Sequence, residues 1–161
     1  MRGRWRWMVP VFVLFAGLVS GCSAVSQAPK EAGEQARNMT PPEGKALVYI
    51  VRPAAVGMAI GMPVTCDGVD VGKTGGRRFL YAVLDPGSHV FVSRAENKSE
   101  LPIVLEAGKT YYLEQKVTMG LLKARNKLVR IEDAEGREKL LKCSLSSETA
   151  AEPAPVVPAT K

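Results

Sequence analysis

The spacing of apolar positions changes three times along this chain, and each change marks a boundary. Met8 to Val19 form a nearly unbroken apolar run, interrupted by Pro10 and Gly17. Ser23 to Pro42 show no apolar period and are rich in Ala, Gln, Glu, Ser and Pro. Lys30 to Arg37 would accommodate a short helix, but the composition of residues 22–42 favours a flexible tether. From Lys45 onwards, strand-length segments recur with turn residues between them.

Ala46 to Val51 is apolar on both faces, ends at Arg52-Pro53, and suits a central strand. Met58 to Cys66 alternates, with Met58, Ile60, Met62, Val64 and Cys66 on one face. Pro63 brings no N–H to a ladder, which places that strand at an edge or at a bulge. Asp67-Gly68 is a tight-turn signal. Val69 to Lys73, a turn at Gly75-Gly76, Arg78 to Leu84, a turn at Asp85-Pro86-Gly87 and Ser88 to Ser93 follow. Leu101, Ile103 and Leu105 alternate, Ala107-Gly108-Lys109 turns, and Thr110 to Val117 is expected to pair back as a hairpin. Leu121 to Ile131 reads as a further hairpin bent near Asn126. Asp133 to Leu145 fits a short C-terminal helix bearing Leu141 and Leu145, although Gly136 argues against it. Ser146 to Lys161 repeats Ala and Pro and is expected to be disordered. Seven or eight short strands over residues 43–145 predict one all-β domain, most economically a single antiparallel β-sandwich.

The N-terminal run is too short to cross a bilayer, which needs about 20 residues. Arg2, Arg4 and Arg6 precede it, and the small residues Ser20 and Gly21 follow it, which is the layout of a secretory signal over residues 1–21. Val19-Ser20-Gly21-Cys22 resembles a bacterial lipobox. The resemblance implies that Cys22 becomes the mature N-terminus and carries a thioether-linked diacylglycerol, so that the chain is anchored to a membrane on its extracytoplasmic side. Ser23 after the cysteine, by resemblance to enterobacterial sorting, implies the periplasmic face of the outer membrane.

Charge and cysteine content narrow the picture further. The 161 residues carry 22 Lys and Arg against 16 Asp and Glu, a net +6, of which three arginines leave with the signal. The remaining charge is mild and dispersed, which argues against nucleic acid. Both tryptophans, Trp5 and Trp7, also leave, which weakens a sugar-stacking surface. With Cys22 acylated, Cys66 and Cys143 remain as an even pair in an oxidising compartment, and a disulfide between them is expected.

From Val64 the chain reads V-T-C-D-G-V-D-V-G-K, and from Leu84 it reads L-D-P-G-S-H-V-F-V. This resembles the PEGA-type module, a β-sandwich of immunoglobulin-like kind. With P-P-E-G-K-A-L-V-Y-I-V-R-P in front and A-G-K-T-Y-Y-L behind, the whole is similar to an uncharacterised family of bacterial lipoprotein domains. The resemblance covers Pro41 to Val117 and, more loosely, the chain up to Cys143. It implies a fold and carries over no activity.

Candidate chemistry is sparse. His89 is the only histidine, so a metal site built on a histidine pair is excluded. Asp67, Asp70 and Asp85 are available partners, yet no nucleophile elbow is present; His89 is expected to cap backbone groups at its turn. Cys66 lies on the apolar face of its strand, where a thiol is unreactive. Arg77 and Arg78 with Lys73 form a basic cluster, and Lys123, Arg125, Lys127 and Arg130 flank Leu121-Leu122. Tyr111 and Tyr112 point to opposite faces, one into the core and one outward. Arg77, Arg78 and Tyr112 are thus the candidate binding surface. The expectation is a non-catalytic binding or adaptor module of the cell envelope, with no cofactor or metal, whose partner is another envelope protein or peptidoglycan. The rival readings are an envelope enzyme centred on His89 and a carrier holding a small apolar ligand between the sheets, lined by Met58 and Met62.

Overall fold

The computed structural model describes residues 28–120 and 124–149; residues 1–27, including Cys22, residues 121–123 and the chain from residue 150 lie outside them. The elements are α1 (Lys30–Arg37), β1 (Ala46–Arg52), β2 (Met62–Cys66), β3 (Val69–Thr74), β4 (Arg78–Leu84), β5 (Gly87–Arg94), β6 (Lys98–Leu105), β7 (Thr110–Met119), β8 (Ala124–Ile131), α2 (Asp133–Leu141) and β9 (Ser144–Leu145). A five-stranded sheet ordered β8-β7-β1-β4-β9 packs on a four-stranded sheet ordered β3-β2-β5-β6. The fold is the expected all-β sandwich with a short C-terminal helix.

β1 explains the layering. Its residues are all buried. Ala46, Val48 and Ile50 face the core between the sheets with Val64, Leu80, Phe91 and Leu113. Leu47, Tyr49 and Val51 face the other way, into a second core with Phe79, Tyr112, Leu140 and Leu145. That second core needs a cover, and α1 and α2 provide it. The apolar run without alternation is the sequence trace of a strand buried on both sides.

Turn chemistry fixes the chain reversals. Asp67 and Gly68 both take positive φ, 51° and 85°, as the tight turn of the β2–β3 hairpin requires. Asp85-Pro86-Gly87 links β4 to β5 across the two sheets. Pro63 lies in an internal strand, but β5 pairs only with Val64 to Cys66, so Pro63 is paired on one side alone, with Lys73 of β3, just before the register shift between Val64 and Thr65.

Several expectations are corrected. The sandwich is not purely antiparallel, because β1 pairs in parallel with β7 and β4 with β9. Ala107-Gly108-Lys109 does not close a hairpin: β6 lies in the four-stranded sheet and β7 in the five-stranded one. β7 pairs instead with β8, which runs straight through Asn126. The strand expected from Met58 begins only at Met62, and residues 53–61 form a loop. Both domain boundaries move outward. Lys30–Arg37, expected within the tether, is a helix whose Gly33 and Ala36 are buried, and Ala28 donates to Leu145 O. Ser146, expected in the disordered tail, is buried and donates to Lys73 O, and Thr149 bridges to Gly72.

At the end of the sandwich where β1 finishes, the inner face turns polar. Thr74 and Ser93 are both hydrogen-bonded to Gln115, and all three are fully buried. Arg52, in register with Ala46, Val48 and Ile50, is also fully buried. Its guanidinium donates to the backbone oxygens of Val56, Gly57, Ile60 and Thr74. A buried cation is tolerable only where hydrogen bonds replace its water, and here four carbonyls do so.

Candidate functional site

Two places bring chemistry-bearing side chains together. The first is at the far end of the sandwich, where the β2–β3 and β4–β5 turns meet over His89. Its Nε2 donates to the backbone oxygen of Asp85 at 2.9 Å, and its Nδ1 lies 2.6 Å from Asp67 Oδ2. Both partners are acceptors, so a ring carrying both protons satisfies both. Asp67 Oδ1 accepts from the Val90 amide at 2.8 Å, and the Asp67 amide donates back to Val90 O. Partial burial pushes the Asp67 carboxyl up, but the Val90 amide and the His89 hydrogen bond and charge outweigh it and hold it below the usual carboxylate range. Lys45 also reaches Asp85 here, at 2.7 Å. The cluster staples two turns, which is the capping role expected of His89.

Cys66 completes this group, its Sγ 3.7 Å from Asp67 Oδ2 and 3.9 Å from His89 Nδ1. Alternation along β2 puts this thiol on the buried face as expected, and only the tertiary fold brings it beside the imidazole. Cys66, Asp67 and His89 offer three ligand atoms within 4.8 Å of one another. Burial first, and Asp67 beside it, push the thiol up to about 12, so with no metal bound it holds its proton. Cysteine and aspartate also converge on the same ring nitrogen, while the other nitrogen faces a carbonyl. A relay needs the nucleophile on one nitrogen and the acid on the other; this geometry gives a latch.

The second place is a cleft of about 630 Å³ between the outer face of the five-stranded sheet and the two helices. Its floor is Tyr49 and Tyr112, whose rings stack with centroids 5.5 Å apart. Parallel pairing of β1 with β7 sets Tyr49 directly opposite Tyr112, which is why the rings meet. Glu34, Arg37 and the segment Asn38 to Pro41 form one wall; Arg137, Leu140 and Leu141 of α2 form the other. Tyr49 donates to Ala36 O at 2.5 Å, tying α1 to the floor. Burial, then the neighbouring Tyr112 and Tyr81, push its hydroxyl up to about 12. Burial pushes the Tyr112 hydroxyl up, against the pull of the neighbouring Arg137 charge. Arg37 stacks its guanidinium 5.6 Å over Phe79 and donates to Cys143 O, while its buried Nε has no partner. Clefts of this size with a few placed polar groups are the usual form of ligand sites.

The predicted site residues fare unevenly. Cys22 lies outside the described residues. The expected Cys66–Cys143 disulfide is absent: both thiols are free and buried. Cys66 sits in the core between the sheets and Cys143 in the core under the helices, with the five-stranded sheet between them. Tyr112, expected outside, is 4% exposed because α2 covers that face. The basic cluster disperses. Arg77 is exposed at a positive φ of 55°, Arg78 is half-buried in β4, and Lys73 pairs with Glu148. For the apolar-carrier reading, Met62 is fully buried core while Met58 is exposed, so they line no common cavity. Arg37, Arg137 and Tyr49 went unrecognised, because nothing local in sequence says that two distant helices cover the same sheet face.

Fold and site together define a two-sheet β-sandwich with one helix-covered face and an aromatic cleft beneath the helices. The chain belongs to the family described as "Protein of unknown function (DUF2846)", which matches residues 42–127. It is also similar to a protein of Haemophilus influenzae described as "Uncharacterized protein", 27% identical over 131 residues that make up 80% of this chain and 78% of the relative. The expectation of an uncharacterised domain family is therefore met. The family match contains the His89 latch and the tyrosine floor of the cleft, whereas α1 and α2 lie outside it.

Proposed function

We propose that this protein is a lipid-anchored lipoprotein of the cell envelope whose sandwich works as a non-catalytic binding module, with the helix-covered cleft as its ligand site. The cleft carries this reading. It combines an aromatic floor, an apolar wall of Met39, Pro41, Leu140 and Leu141, and two guanidinium groups. That set suits an elongated, partly apolar ligand bearing an anionic group, such as a peptide segment of another envelope protein. Anchoring rests on the lipobox resemblance at Cys22. The alternative enzyme would centre on His89, whose two ring nitrogens are already committed to Asp67 and to a backbone carbonyl.

The test is photo-crosslinking in intact cells from a photoactivatable residue at Leu141, on the cleft rim, with Val104 on the outer four-stranded sheet as control. A discrete adduct from Leu141, lost with Arg137→Glu and not formed from Val104, supports the module. Equal labelling from both positions refutes the cleft. If His89→Gln folds normally yet abolishes function while Arg137→Glu does not, the enzyme reading replaces it. Fatty-acid labelling of wild type against Cys22→Ser tests the anchor, and no label on wild type refutes it.

A further inference from the structure

Three distant segments lie along the end of the sandwich where β1 finishes, across the width of the five-stranded sheet. β7 runs parallel to β1 and passes it: Val51 pairs with Glu114, and β7 continues to Met119. The loop of residues 53–61 leaves from Arg52 at the same end. A Cβ placed on Gly57 would lie 3.4 Å from Ile60 Cδ1 and 3.7 Å from Ala124 Cβ, so this loop touches the β7–β8 hairpin. The third segment is the start of the described chain. Ala28 donates to Leu145 O, Leu145 pairs with Phe79, and Arg78 beside it pairs with Arg52.

This end is apolar on its surface. Of the seven large hydrophobic side chains exposed among the described residues, Val56, Met58, Ile60 and Met119 are here. Val90 and Val104 lie on the four-stranded sheet and Leu141 on the cleft rim. The loop is also held in place. Arg52 draws the carbonyls of Val56, Gly57 and Ile60 inward, Ile60 N donates to Gly57 O at 2.8 Å, and Gly76 N donates to Met58 O. A fully buried guanidinium thus orders a loop whose apolar side chains face solvent, a feature of contact surfaces. Lys116, Arg125, Lys127 and Arg77 stand exposed around it, with Glu96 among them and Glu114 3.9 Å from Lys116.

We infer that this end of the sandwich rests on the anionic surface of the bilayer that holds the chain's own lipid anchor. The inference rests on the reading of Cys22 as the lipidated residue. Six residue steps separate Cys22 from Ala28, which span at most about 20 Å fully extended. The fold therefore replaces most of the expected tether with α1, and the described chain begins at the apolar, basic end. The opposite end, with the Asp67–His89 latch, is a strand's length further away, about 23 Å for the seven residues of β1. Apolar side chains ringed by Lys and Arg match the chemistry of an interface with anionic phospholipid. Held this way, the latch end faces away from the membrane.

The experiment uses the full lipidated chain in vesicles, with an environment-sensitive fluorophore on Met58→Cys or, as control, Val104→Cys. Cys66 and Cys143 do not compete, being buried. In vesicles of phosphatidylethanolamine with phosphatidylglycerol, a quencher embedded in the bilayer should reduce Met58-site emission several-fold more than Val104-site emission. The difference should shrink with Arg125→Glu/Lys127→Glu and in phosphatidylcholine alone. Residual flotation of the Cys22→Ser chain with the anionic vesicles only would support the contact independently of the anchor. If the acylated chain floats with vesicles while both probes are equally unquenched, the contact is refuted and the anchor stands. Protection of the Met58 site only when another protein is present also overturns it, in favour of a protein partner. If the chain takes up no fatty acid at Cys22, the anchor reading fails and the proposal falls with it.

Discussion

Two helix glycines should respond to the same substitution with opposite signs. Gly136 lies inside α2, buried against Tyr112, and a Cβ there would sit 2.1 Å from Tyr112 Cγ and 2.4 Å from its Cβ. Carbon atoms pack at about 3.5–4.0 Å, so Gly136→Ala forces either the helix to lift or the ring to move. The ring is stacked on Tyr49, and the helix buries Leu140 beside it. Intrinsic propensity favours alanine by about 1 kcal/mol, while overpacking of this kind costs about 1–3 kcal/mol and occasionally more. The steric term is the larger, and Gly136→Ala is expected to destabilise by about 1–2 kcal/mol. Gly33 in α1 is the control, because its Cβ would meet Leu145 Cβ at 3.7 Å, an ordinary contact. Gly33→Ala should therefore gain up to about 1 kcal/mol. Urea unfolding followed by circular dichroism measures both, and thermal midpoints should move in opposite directions by about 3–6 °C per kcal/mol for a domain of this size. If both variants are stabilised, the close seating of α2 on Tyr112 is wrong, and with it the shape of the cleft.

Arg52→Met removes four donors and leaves the carbonyls of Val56, Gly57, Ile60 and Thr74 facing an apolar side chain. It should destabilise by about 2–4 kcal/mol and speed amide exchange at Ile60 and Gly76; unchanged exchange there would show that the loop does not depend on the guanidinium. Asp67→Asn tests the latch through pH, and asparagine suits the positive φ at this position. The folded-state carboxyl of Asp67 is held below its ordinary value, so its contribution is present above the ordinary carboxylate pKa and lost as pH falls through the folded value. Wild type should accordingly be more stable than Asp67→Asn near neutrality, by about 1–2 kcal/mol, and the gap should close in acid. A gap independent of pH would mean that the charge on Asp67 contributes nothing.

Much of the fold was legible locally. Positive φ at Asp67 and Gly68 follows from the residues themselves, as does the two-sided burial of β1 from a run with no polar position. A lone histidine after Pro-Gly also pointed to a turn staple, and the structure shows one. These features depend on a residue and its immediate neighbours in the chain, so sequence determines them.

What remained depends on partners that many segments share. Ala107-Gly108-Lys109 is the same turn chemistry whether it closes a hairpin or carries the chain from one sheet to the other. Only the open edge of β1 decided that β7 crosses over and pairs in parallel. Tyr112 reads as outward by alternation and becomes floor because α2 lands on it, and α2 can land there because Gly136 has no side chain. Arg52 looks like the polar stop after an apolar strand, yet the loop folds back and surrounds it with carbonyls. Cys66 and Cys143 look like a pair in composition, but the five-stranded sheet stands between them. Alternation and turn residues constrain one strand at a time; choice of partner strand, cover for the second face and the cleft between them are set by which complementary surfaces meet, and that competition is settled only in the folded chain.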